Sequence, residues 1–229
     1  MTDKGFSLDN IVPWGRSFEE YCGMFALTAE DLKCSILGCG DGPASFNASL
    51  TKLGGSVISI DPIYQFSTVQ IKQRIDETYM TVLEQLERNQ DDFVWDNISS
   101  VTELGRIRMS AMELFLVDYE IGRNFGRYIT GELPTLPFEN KVFDLALSSH
   151  FLFLYSKHLS AEFHLLALQE MLRVANEVRV FPIITLNGLP SPHLDFVIKA
   201  LKNQQVNVEI QCVDYEFQRD ANQMLVINQ

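Results

Sequence analysis

Cys34-Ser35-Ile36-Leu37-Gly38-Cys39-Gly40-Asp41-Gly42, with Val57-Ile58-Ser59-Ile60-Asp61-Pro62 behind it, is the stretch from which the rest of the chain can be read. A short apolar run ends in a glycine-rich turn, Ala44 to Leu53 can then form a helix that Gly54-Gly55 stops, and a second apolar run closes on Asp61-Pro62. This is a strand–helix–strand unit with a parallel pair, whose crossover is normally right-handed. Working outward, Val142 to Leu147 and Val178 to Ile183 read as further core strands, separated by a helical stretch from Ala161 to Val174. Strands alternating with helices predict a doubly wound α/β sheet. The tail differs, because Val206 to Val213 and Gln223 to Ile227 are strand-like and joined by a short polar link, as in an antiparallel hairpin at a sheet edge.

One segment exceeds what such a unit needs. Between Tyr64 and a strand expected at Arg127-Tyr128-Ile129, Thr68 to Arg88 and Val101 to Tyr119 both carry apolar residues at helical spacing. An ordinary crossover needs only a dozen or so residues. Residues 65–126 are therefore expected to be a helical insertion capping the site, with a core extension or a dimer contact as the alternative. Residues 1–32 are expected to form an N-terminal helical lid, and the whole of 1–229 a single domain.

The 229 residues, 46% hydrophobic and 21% charged, have an ordinary globular composition and suffice for one well-formed core. Against 18 basic residues stand 30 acidic ones, a formal charge of −12 that would repel polyanions, so nucleic acid is not expected as a partner. No apolar run is long enough to span a membrane and no signal-peptide core follows Met1, so a cytoplasmic protein without membrane contact is expected. Cys22, Cys34, Cys39 and Cys212 make no C-x-x-C pair, and the four histidines lack H-E-x-x-H spacing; free thiols are expected, and no metal site.

A glycine-rich turn between strand and helix lets backbone approach a ligand closely. Asp61, at the end of the next strand, can accept hydrogen bonds from both hydroxyls of a ribose, so an adenosine-containing ligand is implied. Charge narrows the choice. Pro43 stands at the third position of G-x-G-x-x-G and Asp41 puts an anion in the loop, which disfavours a pyrophosphate. S-adenosylmethionine, with a sulfonium and an ammonium and no phosphate, is compatible with an acidic loop.

These residues resemble a family. Leu37-Gly38-Cys39-Gly40-Asp41-Gly42, Asp61, Gly131-Glu132 with Leu136-Pro137-Phe138, and Phe143-Asp144-Leu145-Ala146-Leu147-Ser148-Ser149-His150 are similar, in order and spacing, to the motifs of class I S-adenosylmethionine-dependent methyltransferases of the small-molecule type. The resemblance spans roughly residues 33 to 186. It implies a Rossmann-like, mostly parallel seven-stranded sheet with a reversed last strand. By it, Gly38, Cys39, Gly40 and Gly42 would pass beneath the methionine part, Asp61 and Pro62 would hold the ribose, Glu132 and Leu133 would border the adenine, and Ser148, Ser149 and His150 would lie beside the methyl group. Ile36 stands where the family usually places an acid that orients the methionine ammonium; Asp41 is a candidate substitute.

Upstream, Arg16 could meet the methionine carboxylate through a bidentate pair, or form a solvated helical ion pair with Glu20, four residues on. His150 is the candidate base, since an ordinary imidazole accepts a proton at neutral pH; a packing role at a strand end is the alternative. His158 and His164 are expected at the surface. Tyr64 could stack on adenine or pack in the core, and Phe151, Phe153 and Tyr155 read as core. No D/N/S-P-P-aromatic run follows the fourth strand, which leaves a small-molecule acceptor by elimination. Two further readings stay open: a non-catalytic binder of the cofactor or its product with the same fold, suggested by Ile36, and a nucleotide-dependent oxidoreductase. A homodimer is also open.

Overall fold

The computed structural model describes residues 12–229, so the first part of the lid expected over 1–32 lies outside the described residues. In chain order the elements are α1 (Phe18–Met24), β1 (Ser35–Cys39), α2 (Phe46–Lys52), β2 (Ser56–Ile60), α3 (Thr68–Arg88), α4 (Val101–Asn124), β3 (Tyr128–Ile129), β4 (Phe143–Ser149), α5 (Ala161–Val174), β5 (Ala175–Phe181), α6 (Leu194–Asn203), β6 (Asn207–Cys212) and β7 (Gln223–Asn228). The seven strands lie in the order β3-β2-β1-β4-β5-β7-β6. β1 to β5 are parallel where they pair, and β7 runs antiparallel to both β5 and β6. This is the doubly wound α/β sheet with a reversed last strand that the sequence predicts.

The strands are apolar on both faces because helices cover both. On one face Leu37, Ala146 and Val178 pack with Leu168 of α5 and Leu201 of α6. On the other, Ile36, Val57 and Leu145 pack with Tyr21 and Met24 of α1 and Phe46 and Leu50 of α2. Ile36 is thus a core residue.

The long connection between β2 and β3 is a pair of helices with side-chain caps. Ser67 and Gln70 form a capping box at the start of α3, and Ser100 accepts from the Glu103 N–H at the start of α4. Their inner faces make two further clusters. Tyr64, Phe115, Tyr119 and Tyr128 form an aromatic group at the sheet edge. Val82, Leu86, Phe93 and Leu104 form another with Trp14, Leu186 and Phe217, residues contributed by the N-terminal segment and by the connections after β5 and β6. Two acidic residues on α4 are engaged within the insertion: Asp118 holds Arg127 and Tyr128, and Glu120 accepts from Thr68.

Candidate functional site

Beyond the carboxyl ends of β1, β2, β4 and β5 lies a cavity of about 740 Å³, at the place where ligands bind open α/β sheets and of ordinary ligand-site size. The backbone ladder continues into its rim: Gly40 N–H donates to Ile60 O (2.9 Å), Asp61 N–H to Ile129 O (3.2 Å), and His150 N–H to Phe181 O (2.7 Å). The loops that leave these strands are therefore fixed at their starting points.

The glycine loop and Asp61 form one unit. Gly42 N–H donates to Asp61 Oδ2 and Ile63 N–H to Asp61 Oδ1, both at 2.8 Å. Tyr64 Oη donates to Gly42 O at 2.8 Å from inside the aromatic cluster, so Tyr64 supports the loop from below and the alternative of adenine stacking is not realised. Gly40 has φ +70° and Gly42 φ +53°, conformations that L side chains rarely adopt. Asp41 accepts from Tyr21 Oη (2.9 Å) and Ser59 Oγ (2.6 Å). Burial pushes both Asp41 and Asp61 up to about 6. Gly40, Asp41, Gly42, Asp61, Pro62, Glu132 and Leu133 all line the cavity.

Gly38, Cys39 and Ser148 do not. Side chains alternate along a strand, and Cys39 and Ser148 point into the α5 side of the sheet; Cys39 is buried there against Leu37 and Ala146, and Ser148 is wholly buried in β4. Gly38 is explained by another group, because a Cβ on it would lie 1.8 Å from Asp41 Oδ2. Its missing side chain makes room for the Asp41 carboxylate.

Arg16, Ser149 and His150 line the same cavity. Arg16 precedes α1, whose N-cap is Ser17, and its backbone O accepts from Ser45 N–H of the loop leading into α2 (3.0 Å). Gly15 permits that approach, since a Cβ there would meet Pro43 O at 2.1 Å. The expected alternative of an Arg16–Glu20 surface pair is overturned: Glu20 is buried and pairs with Arg108 of α4. Arg16 Nη1 donates to Trp14 O, and Arg16 Nε has no hydrogen-bond partner. Burial, then the Arg108 charge, lower its guanidinium to about 10. His150 Nδ1 lies 2.9 Å from Ser149 Oγ. Burial, with Arg16 and Arg108 adding to it, pushes this imidazole well below its ordinary range. It is neutral at pH 7, so a rate governed by its titration cannot rise near pH 6.5 as an unperturbed imidazole would require.

The far end of the cavity is apolar, walled by Val82, Leu86, Phe93, Leu104, Leu186 and Phe217. Its polar feature is a set of groups that satisfy one another: Arg108 Nη1 donates to Glu20 Oε2, and Tyr215 Oη to Glu20 Oε1 at 2.8 Å. Arg108 is missing from the sequence reading although it carried a signal, an arginine in register with Leu104, Ala111, Met112 and Phe115 on the buried face of a helix. Of the aromatics expected as core, Phe153 is core, while Phe151 and Tyr155 line the cavity. His158 is exposed as expected, but His164 is buried against Phe153 on the inner face of α5.

No protein-family model matches the chain. Solved structures with a similar arrangement include the PH0226 protein of Pyrococcus horikoshii (13% identical, covering 86% of this chain and 82% of that one, TM-score 0.45). A SAM-dependent methyltransferase from Aquifex aeolicus (14%, 92% and 87%, 0.43) is another. So is magnesium protoporphyrin IX methyltransferase from Synechocystis with bound SAM (11%, 87% and 72%, 0.45). Likenesses at this level say nothing about chemistry. The uncharacterized protein MJ0045 of Methanocaldococcus jannaschii, by contrast, is 33% identical over 223 residues, which cover 96% of this chain and 97% of that protein. At this identity over nearly the whole of both chains, the chain belongs to the family of MJ0045.

Proposed function

We propose that this protein is an S-adenosylmethionine-dependent methyltransferase with a small-molecule acceptor. The observation that carries the reading is the joined unit of glycine loop and Asp61, with Gly42 N–H on the Asp61 carboxylate and Asp41 beside it. Its two carboxylates suit a ligand with positive charges and hydroxyls and disfavour a phosphate. When bound, S-adenosylmethionine supplies an electrophilic methyl group. Asp61, with lone pairs left over from its two backbone bonds, would accept from the ribose hydroxyls. Asp41 would hold the ammonium in place of the acid that Ile36 lacks, Arg16 the carboxylate, and Glu132 and Leu133 the adenine. Ser149 and His150 would border the reacting centre, the imidazole serving as proton acceptor. A cytoplasmic location belongs to the same proposal, in keeping with four free thiols.

Calorimetric titration with S-adenosylmethionine, S-adenosylhomocysteine, NAD and ATP tests the reading. Binding of the first two alone is expected; NAD binding in their place would point to a dehydrogenase. Binding without turnover of any acceptor would favour a non-catalytic binder.

Asp61→Ala is expected to weaken S-adenosylmethionine binding by more than about 1.5 kcal/mol, the scale of a charged hydrogen bond. Unchanged affinity in a folded variant would remove the ribose assignment. A cation binds better to an ionised carboxylate, so wild-type affinity is expected to rise with pH through about 6, where Asp41 and Asp61 titrate. The sign for stability is opposite. Raised pKa values mean that the folded chain holds these protons more tightly than the unfolded one, so the two groups cost stability as pH climbs from the ordinary aspartate value to about 6.

His150→Phe is expected to lower turnover by about a hundred-fold, the usual worth of a general base, with cofactor affinity unchanged. Because the wild-type imidazole is already neutral, its rate should show no step near pH 6.5. Equal turnover in the two proteins would leave His150 a packing residue.

A further inference from the structure

We propose that the acceptor is an uncharged aromatic molecule carrying a hydroxyl group, a phenol, held in the apolar end of the cavity with its oxygen toward His150. This deepens the methyltransferase reading and rests on it.

The walls give the first argument. Val82 and Leu86 from α3, Leu104 from α4, Phe93 from the turn between them, and Leu186 and Phe217 from two later connections belong to a hydrophobic cluster separate from both sheet cores. Phe93 and Phe217 stack with ring centroids 5.0 Å apart. A surface assembled from distant parts of the chain, apolar yet open to a ligand cavity, favours a partner that also leaves water gladly. Aromatic walls favour a ring in offset or edge contact.

Charge gives the second. The cation at this end, Arg108, is matched by Glu20, to which Tyr215 also donates. Arg74, which also lines the cavity, pairs with Glu77 at 3.6 Å, so among the described lining residues Arg16 is the unmatched cation, and the cofactor's carboxylate takes it in the reading above. An anionic acceptor would then meet no free positive partner, and a cationic one would face two guanidiniums. Burying either charge without a partner is costly, so the molecule that fits is neutral.

The hydroxyl follows from His150. Its Nδ1 is engaged with Ser149 Oγ, and Nε2 is the remaining position for a proton. In the transfer the phenol oxygen gains the methyl group and loses its proton to Nε2, while the electron pair of the broken carbon–sulfur bond stays on sulfur. The positive charge that leaves the sulfonium passes with that proton to the imidazole, from which burial and the Arg16 and Arg108 charges drive it on to solvent.

The test is calorimetric titration of 2-naphthol and of 2-naphthoate, each into free protein and into protein saturated with S-adenosylhomocysteine. To protein saturated with S-adenosylhomocysteine, where Arg16 is taken, 2-naphthol is expected to bind about ten-fold or more tightly than 2-naphthoate; in free protein Arg16 is open and the preference should shrink. Phe217→Glu, at a partly exposed position, and Leu104→Lys should each weaken 2-naphthol about ten-fold without changing S-adenosylhomocysteine affinity. Tighter binding of 2-naphthoate, or 2-naphthol binding indifferent to a folded Phe217→Glu variant, would overturn the proposal. Failure of S-adenosylhomocysteine to bind would instead refute the cofactor reading, and the effect of Phe217→Glu on 2-naphthol binding to free protein would still decide the character of the pocket.

Discussion

Gly40→Val is expected to leave a folded protein with no measurable affinity for S-adenosylmethionine. Two effects coincide at this position. Gly40 has φ +70°, and a β-branched residue held there carries strain of about 1–3 kcal/mol. A Cβ would also press on the Phe151 ring at 3.1 Å. The loop can relieve both by turning over, but Asp41 and Gly42 follow directly, and turning would pull Asp41 from Tyr21 and Ser59 and Gly42 N–H from Asp61. Every contact proposed for the cofactor's polar groups at this end is thereby misplaced, while both faces of the sheet keep their helices. Circular dichroism and a thermal midpoint would report the fold, and calorimetry the binding. A folded variant that binds like wild type would mean that this loop is not the cofactor site.

The loop illustrates what a sequence can and cannot reveal about such a site. The period of apolar runs and the turn residues located β1, α2 and β2 within a few positions, because local propensity and burial agree there. The helices α3 and α5 begin and end where the apolar period predicts, with Ser67 and Ser160 supplying caps. The glycines look alike in sequence but have three different reasons: Gly38 clears space for Asp41, Gly40 sustains a positive φ above Phe151, and Gly15 lets the N-terminal segment cross Pro43. No motif separates these reasons, since each depends on what a distant residue places above the glycine. Strand alternation, by contrast, was available in advance and would have turned Cys39 and Ser148 away from the ligand. The apolar end was hidden for a different cause, being assembled from α3, α4 and the connections after β5 and β6, so that no single stretch shows it.

Glu20→Ala is expected to destabilise the protein by about 3–5 kcal/mol, the cost of stranding a buried charge by removing its partner. Glu20 does three things at once. Its Oε2 accepts from Ser17 N–H at 2.9 Å, completing the capping box of α1, and also from Arg108; its Oε1 accepts from Tyr215. Arg108 is 1% exposed and would be left beside Arg16, a second cation, with no anion between them. Burial alone would raise the Glu20 carboxyl, but Arg108 overrides it and the net shift is downward. A lowered folded value means that this stabilisation is present above the ordinary glutamate range and disappears as pH falls through the folded value, so the gap between wild type and Glu20→Gln in urea unfolding should narrow in acid. Charge and packing can be separated. If the stranded charge is the main cost, Glu20→Leu combined with Arg108→Met should be more stable than either single variant, falling short of wild type by about 1 kcal/mol for the lost cap. A double variant no better than Glu20→Leu would show that the fold depends on shape at the junction of α1 and α4. Because the same α1 carries Tyr21 to Asp41, cofactor affinity measured on the double variant would then reveal whether that junction also sets the glycine loop.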